Sequence, residues 1–345
     1  MPKEHILMMQ EQRVDGQKAY PMIDIIKFIG AFFVIIIHIN PIFSYNSAPL
    51  YYLYMIIQHG IARVAVPFYF VASGFFLFRK VDLEHFDWSI IKTYILKILR
   101  LFAVWTILLF PGDTYPLWYM EGLVIAVIFL SILVSKRISL NKIIVLAAFL
   151  YTLGLLGDSY HGLLIYLKSN PILKSIITWY DTEYTTTRNG IFMGMPFVLI
   201  GLLFAKKRIR IRQSVAVVGL ILSMGMVLVE MLTLRRFNLS KDHNMYLFLV
   251  PATVFLFSIG INVRLKPGRI YGRLRVAGTL IYYEHLFANR LVIWGLETLW
   301  ALTGGPFPSS FVFFLMTVVV SASAAFAIEW LSHKERFAFL KWLYA

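Results

Sequence analysis

The chain alternates long apolar blocks with short breaks that are polar and mostly basic. One block reads PMIDIIKFIGAFFVIIIHIN at 21–40 and another QHGIARVAVPFYFVASGFFLF at 58–78. An α-helix of about 20 residues crosses the hydrocarbon core of a bilayer. A helix also satisfies its own backbone, as lipid demands. The pattern predicts spans at 22–40, 52–78, 94–111, 117–135, 143–157, 189–205, 214–232, 244–262, 276–302 and 309–331. The fifth is short and is expected to tilt or extend. The predicted fold class is therefore all-α, a polytopic membrane protein of about ten transmembrane helices.

Charge sets the orientation. The chain of 345 residues is 59% hydrophobic and only 15% charged, against about 25% in an ordinary soluble domain. Its 33 Lys and Arg exceed 18 Asp and Glu, a formal net charge of +15. A nucleic-acid partner is not expected from this excess, because the basic residues concentrate in alternate short loops, around 79–100, 136–142, 206–212 and 264–275. The intervening outer loops keep Lys168, Lys174, Arg188, Arg235, Arg236 and Lys241. By the positive-inside rule both termini are cytoplasmic. Residues 1–20 read as a cytoplasmic leader and 21–332 as the transmembrane domain. The first span is too long for a signal h-region and lacks a cleavage site. The tail at 333–345, HKERFAFLKWLYA, has two readings: a natural terminus, or a link to a soluble domain outside this chain. With no cysteine, disulfides and a cysteine nucleophile are excluded.

The chemistry lies in polar residues that the apolar blocks tolerate. Asp24 and Lys27 are neighbours on a helix face. Lys27 and His38 are eleven apart, about three turns, and so share a face with an offset of about 16 Å. Ionisable groups in spans are costly, about 2.5–3.5 kcal/mol on insertion scales, and usually line a cavity. Alternatively, Asp24 and Lys27 pair at the interface and His38 bonds a neighbouring helix. In the second span His59 and Arg63 share a face, and Pro67 must bend or open the backbone nearby. Ser73-Gly74 permits close approach of a helix or a ligand. In the ninth span, GTLIYYEHLFANRLV sets Glu284 beside His285, with Arg290 following. Neighbouring residues point in different directions, so one of Glu284 and His285 faces the cavity and the other a helix. Glu121 near the outer end of its span reads equally as interfacial.

These residues fall in an order that resembles the acyltransferase-3 family of integral membrane acyltransferases over nearly the whole chain. Asp24, Lys27 and His38 stand at that family's Asp, Arg and His of the first span. Arg63, Val66, Pro67, Phe68, Tyr69, Phe70, Ser73 and Gly74 match its R-x-x-V-P-F-F-F-x-x-S-G pattern. IKTYILKILRLFAVW is similar to the basic entry of its third span, with Lys97 and Arg100 at the basic positions. LWYM at 117–120 is similar to LWFL, and IYYEH to I-Y-L-I-H, with His285 at the histidine. Two departures are Lys27, where most members carry arginine, and Glu284, which replaces an apolar residue. Lysine keeps the charge but loses the planar fork. Within the family, TTTRNGIFMGMPFVLIG at 185–201 most resembles the membrane part of the bifunctional serine racemases of vancomycin-resistant bacteria. Those proteins join such a membrane domain to a cytoplasmic racemase domain.

The resemblance implies a multi-pass protein of the bacterial cytoplasmic membrane that moves an acyl group, expected to be acetyl, from cytoplasmic acetyl-CoA to an outer acceptor. Expected phosphate contacts are Lys27, Lys97, Arg100, Arg273 and Arg275. His38 is the expected general base or acyl carrier, with Asp24, Lys27, Glu284 and His285 completing the catalytic set. Arg63, Ser73, His59 and Arg290 are the expected substrate and oxyanion contacts. No metal is expected. The acceptor is a small molecule or cell-wall component, and a cytoplasmic racemase domain is the partner the resemblance suggests. No pyridoxal-phosphate lysine motif is apparent, so racemase activity is not expected of this chain. The rival is an L-serine transporter, in which Arg63 and Glu284 hold the two ends of the amino acid. Against it, the sequence gives no inverted repeat and no sign of paired broken helices. A third reading, an inert anchor, needs no polar stripe.

Overall fold

The structure is a computed structural model that describes residues 20–39, 48–110, 117–183, 186–266, 268–305 and 309–345. The leader, with Lys3, Arg13 and Lys18, lies outside the described residues except for Tyr20. Every regular element described is helical. In order they are α1 (Pro21–His38), α2 (Ala48–Met55), α3 (Ala65–Phe78), α4 (Trp88–Leu109), α5 (Trp118–Ser135) and α6 (Leu140–Gly157). Two short outer helices follow, α7 (Gly162–Leu167) and α8 (Pro171–Glu183), then α9 (Met195–Ala205) and α10 (Gln213–Arg236). The chain closes with α11 (Leu249–Asn262), α12 (Arg269–Thr303), α13 (Ser310–Leu331) and a tight turn of helix at Glu335–Leu343.

Six stretches are long and apolar enough to cross a membrane: Pro21–His38, Tyr51–Phe78, Trp118–Ser135, Leu140–Gly157, Gln213–Arg236 and Phe311–Leu331. The other four expected spans are helical but differ in kind. Gly190–Ala205 and Leu249–Asn262 are short, and α4 and α12 carry several charges. Burial sorts the helices into centre and rim. The most apolar window of Tyr51–Phe78 is 72% buried, whereas those of Gln213–Arg236 and Phe311–Leu331 are 28% and 17% buried. On the rim Ile221, Leu222 and Val319 are exposed, as lipid-facing residues are.

At the centre α3 and α9 pack along each other. Glycine makes this contact possible. A methyl group on Gly74 would fall onto the Val198 carbonyl, and one on Gly201 onto the Val71 carbonyl. Small residues let helix backbones approach in this way.

Both central helices begin irregularly. Before α3 the chain runs through a π-helical turn, Ile56–Gly60, and a 3₁₀ turn, Ile61–Val64. Pro67 has no N–H to give and its ring crowds the carbonyl of residue i−4, which opens the helix upstream. A π-helical turn at Gly190–Gly194 likewise precedes Pro196 in α9, and Asn189 caps it by accepting from the Ile191 and Phe192 amides at 3.0 and 3.1 Å. The first of these turns lies within the long helical stretch Tyr51–Phe78, whereas the second opens its helix after the non-helical residues 186–189, so one helix is interrupted and the other is not.

Candidate active site

The first part of the site is a cavity of about 620 Å³ between α1, α3, α4, α5 and α12. Lys80, Ser89, Thr93 and Lys97 stand at its exposed rim, with Lys27 deeper on α1. Asp87 caps the start of α4 by accepting from the Ser89 amide at 2.8 Å, which fixes the rim. The inner end is aromatic. Tyr69, Tyr119 and Tyr282 meet edge to face, with centroids 5.6–6.1 Å apart. Polar handles remain among them: Ser73 Oγ lies 3.0 Å from the Tyr119 hydroxyl, and the Tyr69 hydroxyl donates to the Lys27 carbonyl at 2.9 Å.

Beyond that wall stand two histidines. His38 and His285 approach with Nδ1 of the former 3.2 Å from Nε2 of the latter, the rings 5.1 Å apart. Both Nδ1 atoms face backbone carbonyls, which only accept. His285 Nδ1 donates to Tyr282 O at 2.8 Å, and His38 Nδ1 to Val34 O at 2.9 Å. The one proton on His38 Nδ1 is therefore shared between the Val34 carbonyl and, at longer range, the Nε2 lone pair of neutral His285, and His38 carries its own lone pair on Nε2. One residue joins the two parts of the site: the ring of Tyr282 lines the cavity while its carbonyl orients His285.

A third group lies next to the histidine end. The irregular turn 61–64 packs on α1, and Gln58 Nε2 donates to Ile37 O at 3.0 Å. From this turn Arg63 Nη1 donates to Asn244 Oδ1 at 2.5 Å, and Nη2 to His59 Nδ1 at 3.1 Å. Arg188 Nη1 reaches the same Asn244 oxygen at 3.2 Å, its guanidinium 4.8 Å from the Trp118 ring. The His59 and His243 rings are 5.0 Å apart. Asp158 fixes Asn244 from behind, taking the Asn244 amide at 2.9 Å, its Nδ2 at 3.1 Å, the Met245 amide at 3.0 Å and the Ser159 hydroxyl at 2.8 Å. Burial pushes the Asp158 carboxyl above its ordinary value against these donors.

The other expected site residues are engaged elsewhere. Glu284 accepts from Ser321 on α13, while its neighbour His285 faces His38, so the two do point apart. Arg273 pairs with Glu329 at 3.0 Å, and Arg275 lies 3.9 Å from Asp24. Arg100 bonds the Ala345 carbonyl and stacks on Trp342, and Arg290 donates to Leu109 O at 3.2 Å. Glu121 is exposed. Of the expected phosphate contacts, Lys27 and Lys97 line the cavity. Lys80, Tyr119, Tyr282, Arg188, Asn244 and His243 join the arrangement without having been singled out. Tyr119, Tyr282 and Arg188 lay inside motifs already quoted, LWYM, IYYEH and TTTRNG. Among the described residues no group of three His, Asp or Glu side chains is placed to hold a metal ion.

These features define a multi-pass helical membrane protein with a basic-rimmed cavity whose tyrosine wall separates it from a histidine pair. Residues 20–113 match the acyltransferase domain family, which covers the span of Asp24, Lys27, His38, Arg63 and Ser73. The chain is also 30% identical over 293 residues to a serine/alanine racemase of Enterococcus gallinarum, covering 76% of this chain and 40% of that protein. It is 29% identical over 273 residues to an amino-acid racemase of Enterococcus faecalis, covering 72% of this chain and 37% of that one. The chain thus spans about two fifths of the length of these curated relatives. The resemblance to acyltransferase-3 proteins and to bacterial racemases of this kind is therefore shown. No solved structure matches.

Proposed function

We propose that the chain is a membrane acyltransferase module that takes an acetyl group from cytoplasmic acetyl-CoA and delivers it to an acceptor on the outer side. The observation that carries this reading is the cavity that runs from the Lys80–Lys97 rim to the tyrosine wall, where Tyr282 lines it and also holds His285 of the His285–His38 pair. Lys80, Lys97 and Lys27 supply charge for the donor's phosphates. The tyrosine-lined interior suits an uncharged pantetheine arm. His38 Nε2 takes the proton of the acceptor hydroxyl or amine as that atom attacks the acetyl carbonyl. The carbon–sulfur bond then breaks, and the thiolate recovers a proton from the His38 imidazolium. On this reading both termini are cytoplasmic, about ten helices cross the bacterial cytoplasmic membrane, and a racemase unit is the partner in a longer protein.

The test is release of CoA thiol from acetyl-CoA by the protein in liposomes, with candidate acceptors such as L-serine enclosed on the opposite side. Release by wild type and none by His38→Ala supports the reading, and no release from either protein refutes it. A second reading, L-serine transport, draws on the interruption at 56–64 within the helical stretch Tyr51–Phe78. Uptake of labelled serine in the same liposomes without acetyl-CoA would select it.

A further inference from the structure

The group beside the histidine pair concentrates cationic donors on one point, with Asp158 and the exposed Asp242 the acids whose charge reaches Arg63. Two guanidinium groups, Arg63 and Arg188, converge on one neutral oxygen, Asn244 Oδ1. The amide cannot turn to offer its nitrogen instead, because Asp158 holds Nδ2 at 3.1 Å. Asp158 is itself occupied by four neutral donors, and among the described residues Arg63 has no carboxylate within ion-pair distance. Around the same point polar atoms are left over. Arg63 Nε, His243 Nδ1 and the hydroxyl of fully buried Tyr246 have no hydrogen-bond partner among the described residues. Buried polar groups are nearly always satisfied, so three in one cluster call for an explanation.

His59 narrows the chemistry. Arginine only donates, so His59 Nδ1 accepts from Arg63 and the proton of neutral His59 sits on Nε2. The cluster therefore presents guanidinium, imidazole and phenol donors around a neutral acceptor. That is the complement of a carboxylate, which guanidinium groups bind through paired charge-assisted hydrogen bonds.

We infer that Arg63 and Arg188, with Asn244 marking the position, form a binding site for the carboxylate of a small organic acid or amino acid, delivered next to His38. The role of that molecule as acceptor rests on the acyltransferase reading; its binding does not. Arg63 and Arg188 grip the carboxylate, and a hydroxyl or amine elsewhere on the molecule is presented to His38 Nε2. The site lies on the 3₁₀ turn Ile61–Val64, the non-helical residues before Gly190 and the loop before α11, outside the cavity that would take acetyl-CoA.

The test is calorimetric titration of the detergent-purified protein with acetate, L-alanine and L-serine, against acetamide and L-alaninamide, which replace the carboxylate by an uncharged amide. The acids should bind, and the amides should bind at least about tenfold more weakly. Arg63→Gln and Arg188→Gln should each weaken the acids by at least about tenfold, and Arg63→Lys should restore part of the loss. Equal binding of acids and amides, no binding of any acid, or unchanged binding by both glutamine variants would overturn the inference. The acid–amide comparison on wild type stands even if a variant misfolds. Acetyl-CoA titration of the same samples separates the claims: acetyl-CoA binding without acid binding sinks this site alone. Acid binding without acetyl-CoA binding sinks the acyltransferase reading alone.

Discussion

The histidine pair allows a quantitative assignment of roles. If His38 is the base and His285 only positions it, the two replacements must differ in a definite way. His38→Ala removes the proton acceptor, and general base catalysis is worth about 100- to 10,000-fold. His285→Leu removes one neutral hydrogen bond, from His38 Nδ1 to His285 Nε2 at 3.2 Å, while the His38 Nδ1–Val34 O contact at 2.9 Å remains. A net hydrogen bond of about 0.5–1.5 kcal/mol corresponds to about two- to thirteenfold in rate. The tautomer thus survives with a looser ring, and kcat for CoA release should fall by about that factor. His285→Gln, whose amide oxygen can accept from His38 Nδ1, should recover most of it. The assay is thiol release per folded protein, with acetyl-CoA affinity measured alongside to show that the cavity is intact. A His285→Leu loss as large as that of His38→Ala, with no recovery by glutamine, would refute the assignment and make His285 the reacting base.

Three further outcomes follow from the packing. Gly201→Ala drives a methyl group onto the Val71 carbonyl and should cost about 1–3 kcal/mol of stability in a thermal or denaturant melt, whereas Gly225→Ala meets nothing within 4 Å and should be neutral or slightly stabilising; equal effects would contradict the close α3–α9 contact. Tyr119→Ala opens the tyrosine wall between the cavity and the histidines, so acetyl-CoA hydrolysis to free acetate should rise above the wild-type leak; an unchanged leak would show that Tyr119 is no barrier. At Asp181, desolvation pushes the carboxyl up, but His161 at 2.8 Å and Lys168 at 3.3 Å outweigh it and hold the group below 3.8. A depressed acid stabilises above its unfolded value and loses that as pH falls through the folded one. Wild type should therefore exceed Asp181→Asn by about 0.5–1 kcal/mol at pH near 6, the two melting curves converging below the depressed value; a gap that persists there would contradict the ion pair.

The helices were legible because uninterrupted apolar blocks report length directly. The π turns at Ile56–Gly60 and Gly190–Gly194 were not, since they change the hydrogen bonding without ending the apolar block around them. Helices α7 and α8 were also missed, their residues being too polar or too few to form a block. In the site, the shared face of Lys27 and His38 followed from helical phase alone. Partners distant in sequence did not. Arg188 read as one more outer-loop cation until the fold brought it to Asn244, 56 residues away. Arg273 and Arg290 stood as ligand contacts until Glu329 and the Leu109 carbonyl were found beside them. Charge counting cannot distinguish a cation that awaits a ligand from one already paired.

The central claim is that the basic-rimmed cavity takes acetyl-CoA, and titration of the purified protein with that compound tests it most directly. Saturable binding, weakened by Lys97→Ala and by Lys27→Ala but unchanged by Arg290→Ala, is the expected result, since the first two lysines line the cavity and Arg290 does not. Absence of binding at high ligand concentration, or equal weakening by all three replacements, would contradict the account.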